Sequence, residues 1–149
     1  MTQSIQRFLI LICSVLLSTG VFAKDAISTS WSNDLAVSGY DAVAYHTQQQ
    51  AIEGDKAYQT QWQGATWQFS SADNLELFLK EPEKYAPQYG GYCAWAVSQG
   101  KTASSDPTQF EIVNGKLYLN YNKSIQKKWL ADRDALIVKA DQNWPAVIK

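Results

Sequence analysis

Two stretches of strict alternation stand out along the chain. Tyr58, Thr60 and Trp62 alternate with Gln59 and Gln61, and beyond Gln63-Gly64 the residues Ala65, Trp67 and Phe69 alternate with Thr66 and Gln68. Alternation with a period of two across a two-residue turn containing glycine predicts a β-hairpin with one aromatic face. A second hairpin is equally legible: Phe110, Ile112 and Val113 run into Asn114-Gly115, and Leu117, Tyr118 and Leu119 follow. Elsewhere the spacing becomes helical. Ser70 or Ser71 caps a helix with Asp73 or Asn74 in its first turn and Leu75, Phe78 and Leu79 on its inner face, and Pro82 stops it or starts the next turn. Asn122 opens a helix carrying Ile125, Trp129 and Leu130. Asp132 or Asp134 caps another, with Leu136, Ile137 and Ala140 inward and Pro145 beyond its end. Upstream, Leu35, Val37, Val43 and Tyr45 surround Gly39-Tyr40-Asp41, which reads as an extended segment with a bend. The expected class is α+β, a small antiparallel sheet of two hairpins packed with several short helices.

The N-terminal pattern is different in kind. Arg7 precedes an apolar run over residues 8–17, and Ser18-Thr19-Gly20-Val21-Phe22-Ala23 follows with small residues where a signal peptidase reads. The run is well short of the roughly 20 apolar residues that span a bilayer. Residues 1–23 are therefore expected to be a removed signal peptide, taking Cys13 with them. Residues 24–34 form a leader with Trp31 docked on the body, and residues 35–149 form one domain. The expected location is outside the cytoplasm, in the periplasm, with no membrane span after signal removal.

Composition narrows the chemistry. Of 149 residues 46% are apolar and 18% charged, as in ordinary globular proteins, and six Trp, eight Tyr and five Phe supply the bulk for a dense core. The formal charge of −1 gives no basic patch, so no nucleic-acid partner is expected. One His and one remaining Cys leave little material for zinc sites or Ser-His-Asp chemistry.

Candidate chemistry therefore gathers around Gly90-Gly91-Tyr92-Cys93. The paired glycines let the backbone turn or approach closely. If a helix begins there, Cys93 sits in its first turn, where free N–H groups and the helix dipole favour a thiolate. Cys93 can equally be a small buried hydrophobe between Tyr92 and Trp95, or a metal ligand. His46 could join it as a second ligand, or simply be solvated beside the polar run that follows it. A closed zinc site needs four donors, so stoichiometric zinc is not expected, whereas a soft ion such as copper(I) is matched to a thiolate with fewer partners. Asp41, beside Tyr40 in the bend, could orient a donor or act as a base, or bond its own backbone in a turn.

Trp67-Gln68-Phe69-Ser70-Ser71, Phe78 and Pro82-Glu83-Lys84-Tyr85 resemble the YHS domain. With Gly39-Tyr40-Asp41-Ala42-Val43-Ala44-Tyr45 and Tyr89-Gly90-Gly91-Tyr92-Cys93-Ala94, the pattern is similar to an exported bacterial branch of YHS-domain proteins, over roughly residues 35–145. Some relatives in the wider group are linked to metal handling through cysteines after the aromatic strand. Here Ser70 and Asn74 hold the corresponding places and Asp73 matches the family histidine, so the usual soft ligands are missing. The resemblance implies the fold and export, and it implies no established reaction.

Together these features point to an exported binding or accessory module for an unknown small ligand or protein partner. Its candidate ligand-binding residues are Cys93, Tyr92, Gly91, Gly90, Tyr40 and Asp41, with Cys93 and His46 as candidate metal ligands. Cys93 is also the candidate catalytic residue of an alternative, a periplasmic thiol redox protein acting through mixed disulfides with an external resolving thiol. A structural partner-binding domain is the third reading.

Overall fold

The computed structural model describes residues 23–149. The segment read as a signal peptide lies outside the described residues as far as residue 22, Cys13 included. In chain order the elements are a 3-10 turn (Val37–Gly39), α1 (Ala44–Thr47), β1 (Asp55–Trp62), β2 (Ala65–Phe69), α2 (Ala72–Lys80), α3 (Pro82–Tyr85) and a second 3-10 turn (Gln88–Gly91). There follow α4 (Ala94–Ser98), β3 (Asp106–Val113), β4 (Lys116–Asn120), α5 (Lys123–Ala131), α6 (Arg133–Asn143) and a last 3-10 turn (Ala146–Ile148). The class is α+β.

Both hairpins form where alternation and turn chemistry place them. Gln63 and Gly64 have φ of 48° and 78°, and Asn114 and Gly115 have 51° and 76°. Two successive left-handed residues make the turn whose twist matches that of paired strands. Trp62 pairs with Ala65 and Val113 with Lys116, and each first strand carries an irregularity in its register toward its far end. The hairpins remain two separate two-stranded antiparallel sheets rather than joining in one. Instead of a neighbouring hairpin, β2 takes a single bridge from the N-terminal segment, Leu35 to Thr66.

β4 explains how one chain supports two cores. Leu117 and Leu119 face a cluster built on Trp67, Phe69, Phe78, Val43 and Tyr45, while Tyr118, on the opposite face, belongs to a second cluster with Trp129, Tyr89, Ala94 and Val97. Successive strand residues point to opposite faces, so a strand buried on both sides serves two clusters at once. In the first cluster Trp62 meets Trp67 edge-on at 5.5 Å and Phe69 lies 5.0 Å from Phe78. Such pairs contribute about 0.5–1.5 kcal/mol each beyond their burial.

The helix starts follow the expected caps. Ser71 Oγ accepts from Asn74 N–H at 3.1 Å and Asn122 Oδ1 accepts from Ile125 N–H at 2.9 Å. Each cap is worth about 1 kcal/mol. Asp132 occupies the position before α6 without a side-chain cap bond. The inward faces are narrower than the spacing suggests. Leu79 is 57% exposed and Leu130 45% exposed, because α2 buries only Asn74 and Phe78 and α5 only Gln126 and Trp129. One residue past Phe78 or Trp129 is a rotation of about 100°, which carries the side chain off such a stripe. The bend at residues 34–45 is a 3-10 turn followed by α1 rather than extended chain.

Residues 24–34 do pack on the body, but not through Trp31, which is completely exposed. Ile27 is the buried anchor. Backbone bonds do the rest: Ser28 N–H donates to Gly90 O at 2.8 Å, Lys24 N–H to Ile148 O at 2.8 Å, and Thr29 bridges to Ala36. No helix among the described residues is long and apolar enough to cross a membrane.

Candidate functional site

Asp41 is fully buried, and its carboxylate accepts five hydrogen bonds. Oδ1 takes the N–H groups of Val43 (2.9 Å) and Ala44 (3.1 Å), which starts α1. Oδ2 takes Ser70 N–H (2.8 Å), Ser70 Oγ–H (2.7 Å) and the Asn74 amide (2.7 Å), which ties the end of β2 and the first turn of α2 to the bend. A buried charge with this many donors is stable in place, and its acceptor capacity is spent. Ser70 and Asn74, the places where the resemblance noted above would put soft ligands, are thus committed to an internal carboxylate. The residues present do not fit a metal at that position.

Cys93 sits at the cap position of the five-residue α4 and is 1% exposed. Its N–H donates to Ala103 O at 2.9 Å and its S–H to Asn120 Oδ1 at 3.6 Å. Asn120 is the hub of a second buried network: its Oδ1 also accepts Trp95 N–H (3.0 Å), its amide donates to Gln126 Oε1 (2.7 Å), and Gln126 donates to Phe110 O (3.0 Å). Burial pushes the Cys93 thiol above its ordinary value, against the pull of the backbone N–H groups of Ala96, Tyr121 and Trp95. Trp95 and Ala96 are the helix-start donors anticipated from sequence, Tyr121 adds one from just past β4, and desolvation outweighs all three.

Cys93 also lines a cavity of about 320 Å³ together with Trp95, Ala96, Lys101, Ala103, Tyr121 and Ile125. Its floor is buried at Cys93 and Ala96, while Lys101 and Tyr121 are exposed at the mouth. The walls are almost wholly apolar, so the cavity suits a small ligand of low polarity with the thiol as its one reactive group.

The other candidate residues lie elsewhere. Gly90, at φ 61°, lets the N-terminal backbone pass so closely that a Cβ there would stand 1.8 Å from Ala26 O. The Tyr92 hydroxyl donates to Asp25 O at 2.9 Å, so both residues serve the same packing. The Gly91 carbonyl accepts from Ser105 Oγ at 2.7 Å. Tyr40 bridges to Glu53, with its hydroxyl 3.5 Å from the Glu53 carboxylate. His46 packs edge-on against Tyr85 at 5.4 Å with Nε2 3.3 Å from Tyr85 O. Burial lowers its pKa, the Tyr85 carbonyl opposes that, and Lys84 adds to it. His46 is thus held on α3 while Cys93 is held on β4, and they share no cavity among those found. Among the described residues no three His, Cys, Asp or Glu side chains converge on a common point.

Sequence reasoning did not single out Asn120, Gln126, Lys101 or Tyr121. The available signal was Asn120 itself, a polar residue closing the run Leu117-Tyr118-Leu119 on a strand that feeds both cores. No curated protein and no solved structure matches the chain. Residues 43–89, from the end of the Asp41 bend through the first hairpin, α2 and α3 to Tyr89, match the family model of the YHS domain and stop short of Cys93.

Proposed function

We propose that this protein is an exported binding or accessory module that takes a small, soft or thiol-reactive ligand of low polarity in the cavity lined by Cys93. The observation that supports it is the placement of the free thiol on an otherwise apolar, open cavity of about 320 Å³. The donor set favours an organic ligand over a resident metal. Around Cys93 the other polar groups are the Asn120 amide, backbone N–H donors and, at the mouth, Lys101 and Tyr121, none of which offers a cation a second soft ligand. A thiol held neutral by desolvation is also a poor attacking group for disulfide exchange, which makes the redox alternative weaker.

Reagent size and charge test the proposal. Folded protein is treated with methyl methanethiosulfonate, which is small and neutral, and in parallel with a bulky dianionic aromatic disulfide, with Cys93→Ala as the blank. The expected result is labelling of folded protein by the small reagent alone, at a rate that keeps climbing with pH beyond the ordinary thiol range near 8.5. Labelling only after denaturation would sink it and leave Cys93 as part of the core. Fast labelling by both reagents at neutral pH would favour the redox alternative.

A further inference from the structure

A second cavity, on the side of the molecule where the N-terminal segment crosses the body, is far richer in hydroxyls, with Leu35 and Val37 supplying an apolar part of its wall. It measures about 400 Å³, and its lining includes Ser28, Thr29, Ser38, Ser104 and Ser105, with Trp31 at the rim. No charged residue lines it. Among the described residues the hydroxyls of Ser28, Thr29, Ser38 and Ser104 have no partner within the protein, whereas Ser105 is used to fix the wall through Gly91 O at 2.7 Å. We infer that this cavity is a binding site for a neutral polyhydroxylated ligand, a sugar of one or two pyranose rings.

Three features of the cavity select that class. Uncharged hydroxyls both donate and accept, so they match sugar hydroxyls in either sense, and they offer no counter-charge to an anion or a cation. Trp31 is wholly exposed beside them, a large flat apolar surface with an electron-rich face that suits the weakly positive C–H face of a pyranose. The volume falls within the range of about 300–1,000 Å³ typical of small-molecule sites.

The walls are also built at a conformational cost. Val37, Ser38 and Gly39 have φ of 52°, 54° and 84°, and Tyr89, Gly90 and Gly91 have 57°, 61° and 84°. Val37 and Ser38 come to the cavity from one of these runs and Gly91 from the other. A β-branched residue at positive φ is rare and persists only where its surroundings hold it. Here Gly39 N–H is held by Ala36 O and Tyr40 N–H by Val37 O, both at 3.0 Å. The strained turns thereby present Ser38 and the Gly91 backbone to one space that neither would reach as extended chain.

Titration of the purified protein with glucose, N-acetylglucosamine and cellobiose, followed by calorimetry and by amide NMR shifts, tests the assignment. The expected result is saturable binding of at least one of them, with shifts centred on residues 28–31, 38 and 104. Trp31→Ala should weaken it by about tenfold or more, and Trp31→Phe should recover part of the loss. Ser38→Ala and Ser104→Ala should each weaken it several-fold. Because Trp31 is exposed, its variants should melt like the parent, which separates lost binding from lost fold. Absence of binding by all three sugars overturns the assignment, as does binding that Trp31→Ala leaves unchanged.

Discussion

Asp41 and Cys93 are both buried polar groups in tight segments of chain, and they have opposite balances of donors and acceptors. Asp41 receives five hydrogen bonds from three separate segments and borders none of the cavities described above. Cys93 donates one long S–H contact to an amide that is already engaged, has the N–H groups of Ala96, Tyr121 and Trp95 turned to its sulfur, and still lines an open space. A saturated buried group has its whole electrostatic capacity invested in holding the fold together. A group left with unspent reactivity beside a void has capacity for something that arrives from outside. The difference separates residues that sequence alone treats alike, since each is a chemically capable side chain near glycines and aromatics.

The strongest way to break this comparison is Asp41→Ala. It leaves the N–H groups of Val43, Ala44 and Ser70 and the Asn74 amide without their acceptor, each at about 1–3 kcal/mol. The expected loss is about 4 kcal/mol or more, enough to unfold many small domains, and urea denaturation measures it. A loss below about 1 kcal/mol would mean that the carboxylate is not the clasp described above. Asn120→Ala comes next, at about 2–3 kcal/mol, because it strips partners from Trp95 N–H and Gln126 in the second network.

Cys93→Ser sharpens the other side. The hydroxyl must find a partner where the thiol needed little, so a loss of about 1 kcal/mol is expected together with complete loss of labelling by the small reagent. His46 gives the smallest effect. Burial holds its pKa below the ordinary value, so the unfolded chain takes up the proton first. Its contribution to stability is complete above about pH 6.5 and declines as pH falls below that value. Stability measured at pH 7 and pH 5 should show a drop that His46→Gln makes shallower. An identical drop in the variant would assign the pH dependence to other groups.

The hairpins, the Ser71 and Asn122 caps and the α+β class were legible because their causes are local. Alternation, a two-residue turn and a cap each occupy a few consecutive residues. The two-sheet arrangement and the exposure of Leu79 were not, since they depend on which neighbour covers which face. Trp31 shows the same limit: bulk suggested burial, but Ile27 fits the body and the tryptophan is left in water. At the candidate site Cys93 and the close approach at Gly90 could be read directly. The local half of Asp41's role, accepting from Val43 and Ala44 N–H in its own turn, was legible too. Its bonds from Ser70 and Asn74, and the Trp95 bond to Asn120, were not, because they cross long stretches of sequence.

The contacts of the N-terminal segment also set a schedule for assembly. A chain emerging from its first residue exposes Ser28 long before its partner at Gly90 exists, and Lys24 before Ile148. Ile27 is thus an apolar side chain without its cover during most of synthesis, and the serine-lined cavity has no outer wall until the middle of the chain has arrived. Assembly of that face is therefore a late event, and any helper that keeps the nascent chain from aggregating has Ile27 and its neighbours available to grip until the body that buries Ile27 has formed.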